Sequence, residues 1–156
     1  MNHRKNSKKN CIRVSSLSFG YDSMSKLLFN DLSFSAARGW TGVVGPNGAG
    51  KTTLLEMIAG LMEPNQGSIQ GPKNVLYCPQ RTDDEPPYFQ QMMNSLESEA
   101  IVARSRLGVE DDWPKRWSTL SHGERKRAQV ALILWQQPDV VVVDEPTNHL
   151  DKEARE

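Results

Sequence analysis

The chain has 156 residues, and 19 Lys and Arg balance 19 Asp and Glu, so its formal net charge is zero. At about 100–200 residues per domain this is one domain with room for a real core. Hydrophobic content of 37% and charged content of 24% exclude wholesale disorder, and charge neutrality argues against a generic nucleic-acid or membrane-surface binder. No direct sequence-specific nucleic-acid binding is expected. Arg4, Lys5, Lys8 and Lys9 gather in the first ten residues. Residues 1–10 therefore read as a solvated, disordered basic tail, the other reading being a basic binding arm. No stretch approaches the roughly 18 apolar residues of a membrane span, and the start contains no secretory apolar region. Cys11 and Cys78 are too few and too far apart for a zinc pattern or a disulfide framework. They read as reduced cysteines of a cytoplasmic protein, with Cys78 packed as a small apolar residue.

Residues 12–19 (IRVSSLSF) and 32–36 (LSFSA) alternate apolar and polar side chains, the period of half-buried strands. Residues 40–44 (WTGVV) predict a strand running into a glycine loop, and LLEMIAGL predicts the helix that follows, with Gly60 and Pro64 at its stop. NQGSIQG reads as a tight connection and NVLYC (74–78) as a strand ending at Pro79 and Gln80. Met93, Leu96, Ala100, Ala103 and Leu107 predict one amphipathic helix over 89–107, followed by a loop, GVEDDWPKRWSTL. A second helix is expected over 121–136, with Ser121 and Glu124 as a capping box and Ala128, Ala131, Leu132 and Trp135 facing inward. Val140–Val143 then has the all-apolar character of a parallel strand buried on both faces. Alternating strands and helices give an α/β fold with a mainly parallel sheet, preceded by a small antiparallel element.

Gly45-Pro46-Asn47-Gly48-Ala49-Gly50-Lys51-Thr52 satisfies G-x-x-x-x-G-K-[ST] between a predicted strand and a predicted helix, and Thr53 continues it. Such glycines let successive N–H groups curl into an anion nest at a helix N-terminus. Pro46 has no N–H and can only shape the loop. Lys51 supplies a point charge for the outer phosphates, and the Thr52 hydroxyl is placed to ligate Mg²⁺. The complementary acids come from VVVVDE: Asp144 to hold Mg²⁺ through water, and Glu145 to orient and polarise the attacking water.

Together these residues resemble the ATP-binding cassette (ABC) ATPase family, over about residues 12–151. GPNGAGKTTLL looks like its Walker A, VVVVDEP like its Walker B and LSHGE (120–124) like its signature. NHLD, with a signature ending in Gly123-Glu124, is similar to the ABC-F branch, whose members are soluble tandem cassettes acting on ribosomes. The resemblance implies a P-loop cassette over 11–156 with a helical subdomain at about 86–120. It also implies ATP and Mg²⁺ as cofactors and ATPase activity through closure with a second cassette, as a homodimer or a tandem domain. The other readings are the ATP-binding subunit of a membrane transporter, docking on a permease, and a truncated, non-catalytic nucleotide-binding fragment.

Residue by residue, the resemblance makes Tyr21 the aromatic that stacks on adenine; the alternative is a strand-edge tyrosine packing on its neighbours. Gln80 becomes the glutamine that meets the metal-bound water and senses the γ-phosphate. Ser121, His122, Gly123 and Glu124 become a signature acting in trans on the partner's nucleotide, which their role as a helix cap does not exclude. Asn148, His149, Leu150 and Asp151 occupy the D-loop. Two departures stand out. His122 replaces the usual first glycine of the signature, where a Cβ at a position of close phosphate approach, or of positive φ, costs about a kcal/mol or more and weakens closure; the other reading is an added anion contact from a protonated His122. No histidine stands beyond the D-loop to serve as the family's switch residue, and the expectation is a cassette cut short at Glu156.

Overall fold

The computed structural model describes residues 11–23 and 25–144. The basic tail at 1–10, Glu145 and the D-loop residues Asn148, His149, Leu150 and Asp151 lie outside the described residues. The chain divides into two compact units, the first ending at Tyr77 and the second beginning at Cys78.

The first unit is built on a three-stranded antiparallel sheet in which β1 (Ile12–Phe19) lies between β2 (Phe29–Ala36) and β3 (Gln66–Gln70). The apolar positions of β1 are Ile12, Val14, Leu17 and Phe19, so the alternation slips phase between Val14 and Leu17. The chain absorbs the slip in a bulge. The pairing register shifts between those two residues, Ser16 takes a φ of 46°, and its N–H donates to Ser33 Oγ at 2.8 Å. Both halves of the strand thereby bury their apolar side chains. Val14, Leu17 and Phe19 form a core with Met57 of helix α1 (Lys51–Ile58), flanked by Leu28, Phe29, Leu32 and Ile69.

The expected tight connection at 65–71 is instead largely strand β3. Gly67 is the reason: at φ 88° it passes the bulge so closely that a Cβ would stand 2.4 Å from the Ser16 carbonyl oxygen. The glycine permits a close backbone approach and not a turn. The strand expected at 40–44 does not form either. A strand exists by pairing, and among the described residues this segment is unpaired, with Trp40 and Val44 almost fully exposed.

Strand β4 (Val75–Cys78) stands at the boundary and pairs with β5 (Val140–Val143) in a two-stranded parallel sheet. The expectation of burial on both faces of β5 fails: Val142 is buried, whereas Val141 and Val143 are each more than a third exposed. Cys78 is buried as expected, and burial pushes its thiol above the usual range.

The single helix expected at 89–107 is two. Helix α2 (Phe89–Asn94) stops at Ser95, which is extended, and α3 (Ser98–Leu107) starts afresh. Arg104 explains the break, because its guanidinium reaches back to donate to the carbonyls of Met93 and Ser95. Carbonyls at the end of α2 are thus satisfied from the next helix. Ala100 and Ala103 are buried where α3 packs against α4 (His122–Gln136), whose Ala128, Ala131 and Leu132 are also buried. Leu96, a member of the predicted stripe, is exposed in the break. The expected loop before α4 contains a 3-10 helix, Trp113–Thr119, because Trp113 and Trp117 turn inward and Phe89 meets Trp117 edge-on at 5.2 Å.

Candidate functional site

The glycine loop runs from Gly45 into α1 without a side-chain cap on the helix. Gly50 is the N-cap at φ 86°, Gly48 has φ 80°, and the Ala49 N–H closes the turn on the Pro46 carbonyl at 3.2 Å. The first turn of α1 carries no acid. An uncapped helix start preceded by left-handed glycines is electropositive, which is the chemistry a phosphate needs. Lys51 adds a full charge, and its Nζ donates to the carbonyls of Gly45 and Pro46, each at 3.0 Å. The ammonium is thereby held at the mouth of the loop. Asn47, Gly48, Ala49 and Thr52 are all exposed around it, while Thr53 is buried beneath. The donor set fits a polyphosphate with its cation: amides and Lys51 for the phosphates, and the Thr52 hydroxyl for Mg²⁺.

Tyr21 lies beside this loop within the first unit. Its hydroxyl shares a 2.9 Å hydrogen bond with the Thr53 hydroxyl, and its ring meets Phe19 edge-on.

In the second unit, Asp144 follows β5 directly and is 3% exposed. Its N–H donates to the Cys78 carbonyl at 3.0 Å, which brings it to the same strand end that Gln80 leaves. Ligand sites of α/β sheets gather at the carboxyl ends of such strands. Gln80 is flanked by two anchors. Lys126 Nζ reaches the Pro79 carbonyl at 3.5 Å, and the Thr82 carbonyl accepts from Trp117 Nε1 and Arg125 Nη1, both at 3.2 Å. Burial pulls the Lys126 ammonium below the usual lysine range.

The same Thr82 meets the start of α4. Its hydroxyl pairs with His122 Nδ1 at 3.3 Å. His122 is the first residue of α4 and is not left-handed, so strain from a positive φ at that position does not arise. Gly123 has open space where a Cβ would stand. The links of Thr82 to Trp117 and Arg125 are not legible in the sequence; a lone Thr two positions after Gln80 carries no pattern of its own.

The capping box forms as read: Ser121 Oγ accepts from the Glu124 N–H at 3.3 Å, and the Glu124 carboxylate accepts from the Ser121 N–H at 2.7 Å. These side-chain and backbone hydrogen bonds with Ser121 hold the Glu124 carboxyl below the usual carboxylate range. A depressed folded pKa gives stability that is full above the ordinary carboxylate pKa and is lost as pH falls through the lowered value. Glu124→Gln is therefore expected to flatten the fall of the thermal midpoint as pH drops below the ordinary carboxylate range. Calorimetry of the two proteins across that range checks it, and superimposable profiles refute it.

Comparison with known proteins places these features in a family. The family model described as ABC transporter matches residues 29–148. The translational throttle protein EttA of Mycobacterium tuberculosis is 38% identical over 160 residues, covering 92% of this chain and 28% of its own length. ABC transporter F family member 2 of Arabidopsis thaliana is 32% identical over 172 residues, covering 95% of this chain and 24% of its own. The chain thus spans about a quarter of the length of these curated relatives. The structure of CbiO1 from Clostridium perfringens, part of an ABC transporter complex, superposes with a TM-score of 0.69 at 24% identity, over 92% of this chain and 68% of that one. The chain belongs to the ATP-binding cassette family and is similar to its ABC-F members.

Proposed function

We propose that this chain is an ATP-binding cassette that takes up Mg-ATP at the 45–53 loop and hydrolyses it after closing on a second cassette. The observation that carries this reading is the uncapped, acid-free start of α1 with Lys51 folded over the loop. In this reading Lys51 and the loop amides would hold the phosphates, and Thr52 and Asp144 are the residues that would hold Mg²⁺. Bound Mg²⁺ supplies charge neutralisation for phosphoryl transfer to water. Glu145 orients the water and Gln80 reports the γ-phosphate, while Tyr21 stacks on the base. Ser121 to Glu124 face the partner's nucleotide, and Asn148 to Asp151 line the contact between cassettes. The tail over 1–10, the cassette over 11–156 and the helical subdomain near 86–120 are the domain plan of this reading.

The kinship with a protein named for throttling translation supports a cytoplasmic, ribosome-linked role for the ATP cycle. Among the described residues no helix is long and apolar enough to cross a membrane.

The test is steady-state phosphate release from Mg-ATP, beside ribosome co-sedimentation with and without nucleotide. Wild type is expected to turn over, and Glu145→Gln to lose at least about 10²-fold in rate while still binding ATP. Equal turnover in the two proteins removes Glu145 from the chemistry.

A further inference from the structure

Tyr21 is fixed from two sides. Phe19 meets its ring edge-on, with centroids 4.9 Å apart and planes at 83°. The hydroxyl end is tied to Thr53 at 2.9 Å. Thr53 is the third residue of α1 and is 7% exposed, whereas Tyr21 keeps 38% of its surface open. The backbone around the ring is pinned as well: the Gly20 N–H donates to Asn65 Oδ1 at 2.8 Å, and the Leu28 N–H donates to the Phe19 carbonyl at 2.7 Å. An open aromatic surface is therefore clamped to the helix that begins at the phosphate loop.

A free surface tyrosine must give up rotamer freedom when a base stacks on it; one already clamped has given it up beforehand. Phenylalanine at position 21 would meet Phe19 equally well. What the hydroxyl adds is the bond to Thr53, which sets the ring's angle relative to the loop. We propose that the Tyr21–Thr53 hydrogen bond holds the ring in the orientation that stacks a nucleobase, making Thr53 a positioning residue for the base as well as part of the phosphate loop. The proposal rests on the ATP-binding reading above and adds what selects the nucleoside end of the ligand.

The experiment titrates the 156-residue chain calorimetrically with Mg-ATP and with Mg-tripolyphosphate, which has phosphates and no base. The proteins are wild type, Tyr21→Phe, Thr53→Val and the double variant, and the readout is the ratio of the two affinities. A general loss at the phosphate loop cancels in that ratio. Wild type is expected to prefer ATP, each single variant to lose about three- to tenfold of the preference, and the double variant to lose no more than either single one. Additive losses, or single variants that keep the full preference, overturn the proposal. If wild type binds both ligands equally, base positioning falls and the phosphate-loop reading stands; if it binds neither, both fall. Should Thr53→Val not fold, Tyr21→Phe decides alone, since its position is partly exposed and an unchanged preference there overturns the proposal.

Discussion

Lys51→Ala is expected to lower Mg-ATP affinity about ten- to a hundredfold while leaving the thermal midpoint nearly unchanged. The asymmetry follows from where the ammonium sits. Its two hydrogen bonds run to the carbonyls of Gly45 and Pro46 in an exposed loop, so the core does not depend on them. For a polyphosphate the same group is a full positive charge at the mouth of the loop. A charged hydrogen bond is worth about 1.5–3 kcal/mol, and about 2.7 kcal/mol is a hundredfold in affinity. Lys51→Arg is expected to rescue poorly, because a planar guanidinium cannot take the place of a compact ammonium between two carbonyls. Calorimetric titration of the three proteins measures this. Undiminished affinity in Lys51→Ala would place the nucleotide somewhere other than this loop.

Much of the site is legible because its chemistry is local. The loop from Gly45 to Thr52 announces itself by residue spacing alone, and the structure finds left-handed glycines where the spacing asks for a curled backbone. Ser121 and Glu124 likewise announce a cap that needs no other part of the chain. What is not legible depends on partners distant in sequence. Gly67 looks like a turn residue until the Ser16 bulge passes over it. The stripe from Met93 to Leu107 looks continuous until Arg104 satisfies the carbonyls of a broken helix. The apolar run at 40–44 and the valines of β5 have the composition of buried strands, yet burial depends on what lies against them. Thr82 shows the limit most clearly: its three links to Trp117, His122 and Arg125 span 35 to 43 residues, and only the folded second unit brings them to the segment that carries Gln80.

Gly50→Ala is expected to be far more damaging than Gly48→Ala, although both glycines are left-handed and both belong to the same loop. An L-residue in that conformation costs about 1–2 kcal/mol at either position. At Gly48 the conformational cost is all the protein itself imposes, because an added Cβ meets nothing within 4 Å. At Gly50 the Cβ would stand 2.7 Å from Phe29 Cζ and 2.9 Å from Leu28 Cγ and Cδ2. Neither side chain can retreat easily, since both pack against the cluster of Val14, Leu17, Phe19 and Met57. Overpacking adds about 1–3 kcal/mol, bringing Gly50→Ala to about 2–5 kcal/mol. The strain also falls where it matters for the ligand: Gly50 is the N-cap of α1, so any shift that relieves it displaces Lys51, Thr52 and Thr53 together. ATP affinity is therefore expected to drop more than about a hundredfold in Gly50→Ala, and nearer tenfold in Gly48→Ala, where only one turn of the loop is strained. Thermal midpoints and calorimetric affinities of the two variants, measured side by side, check the ranking. Equal losses would mean that the loop is not seated on Leu28 and Phe29, and that its shape is set by the glycine conformations alone.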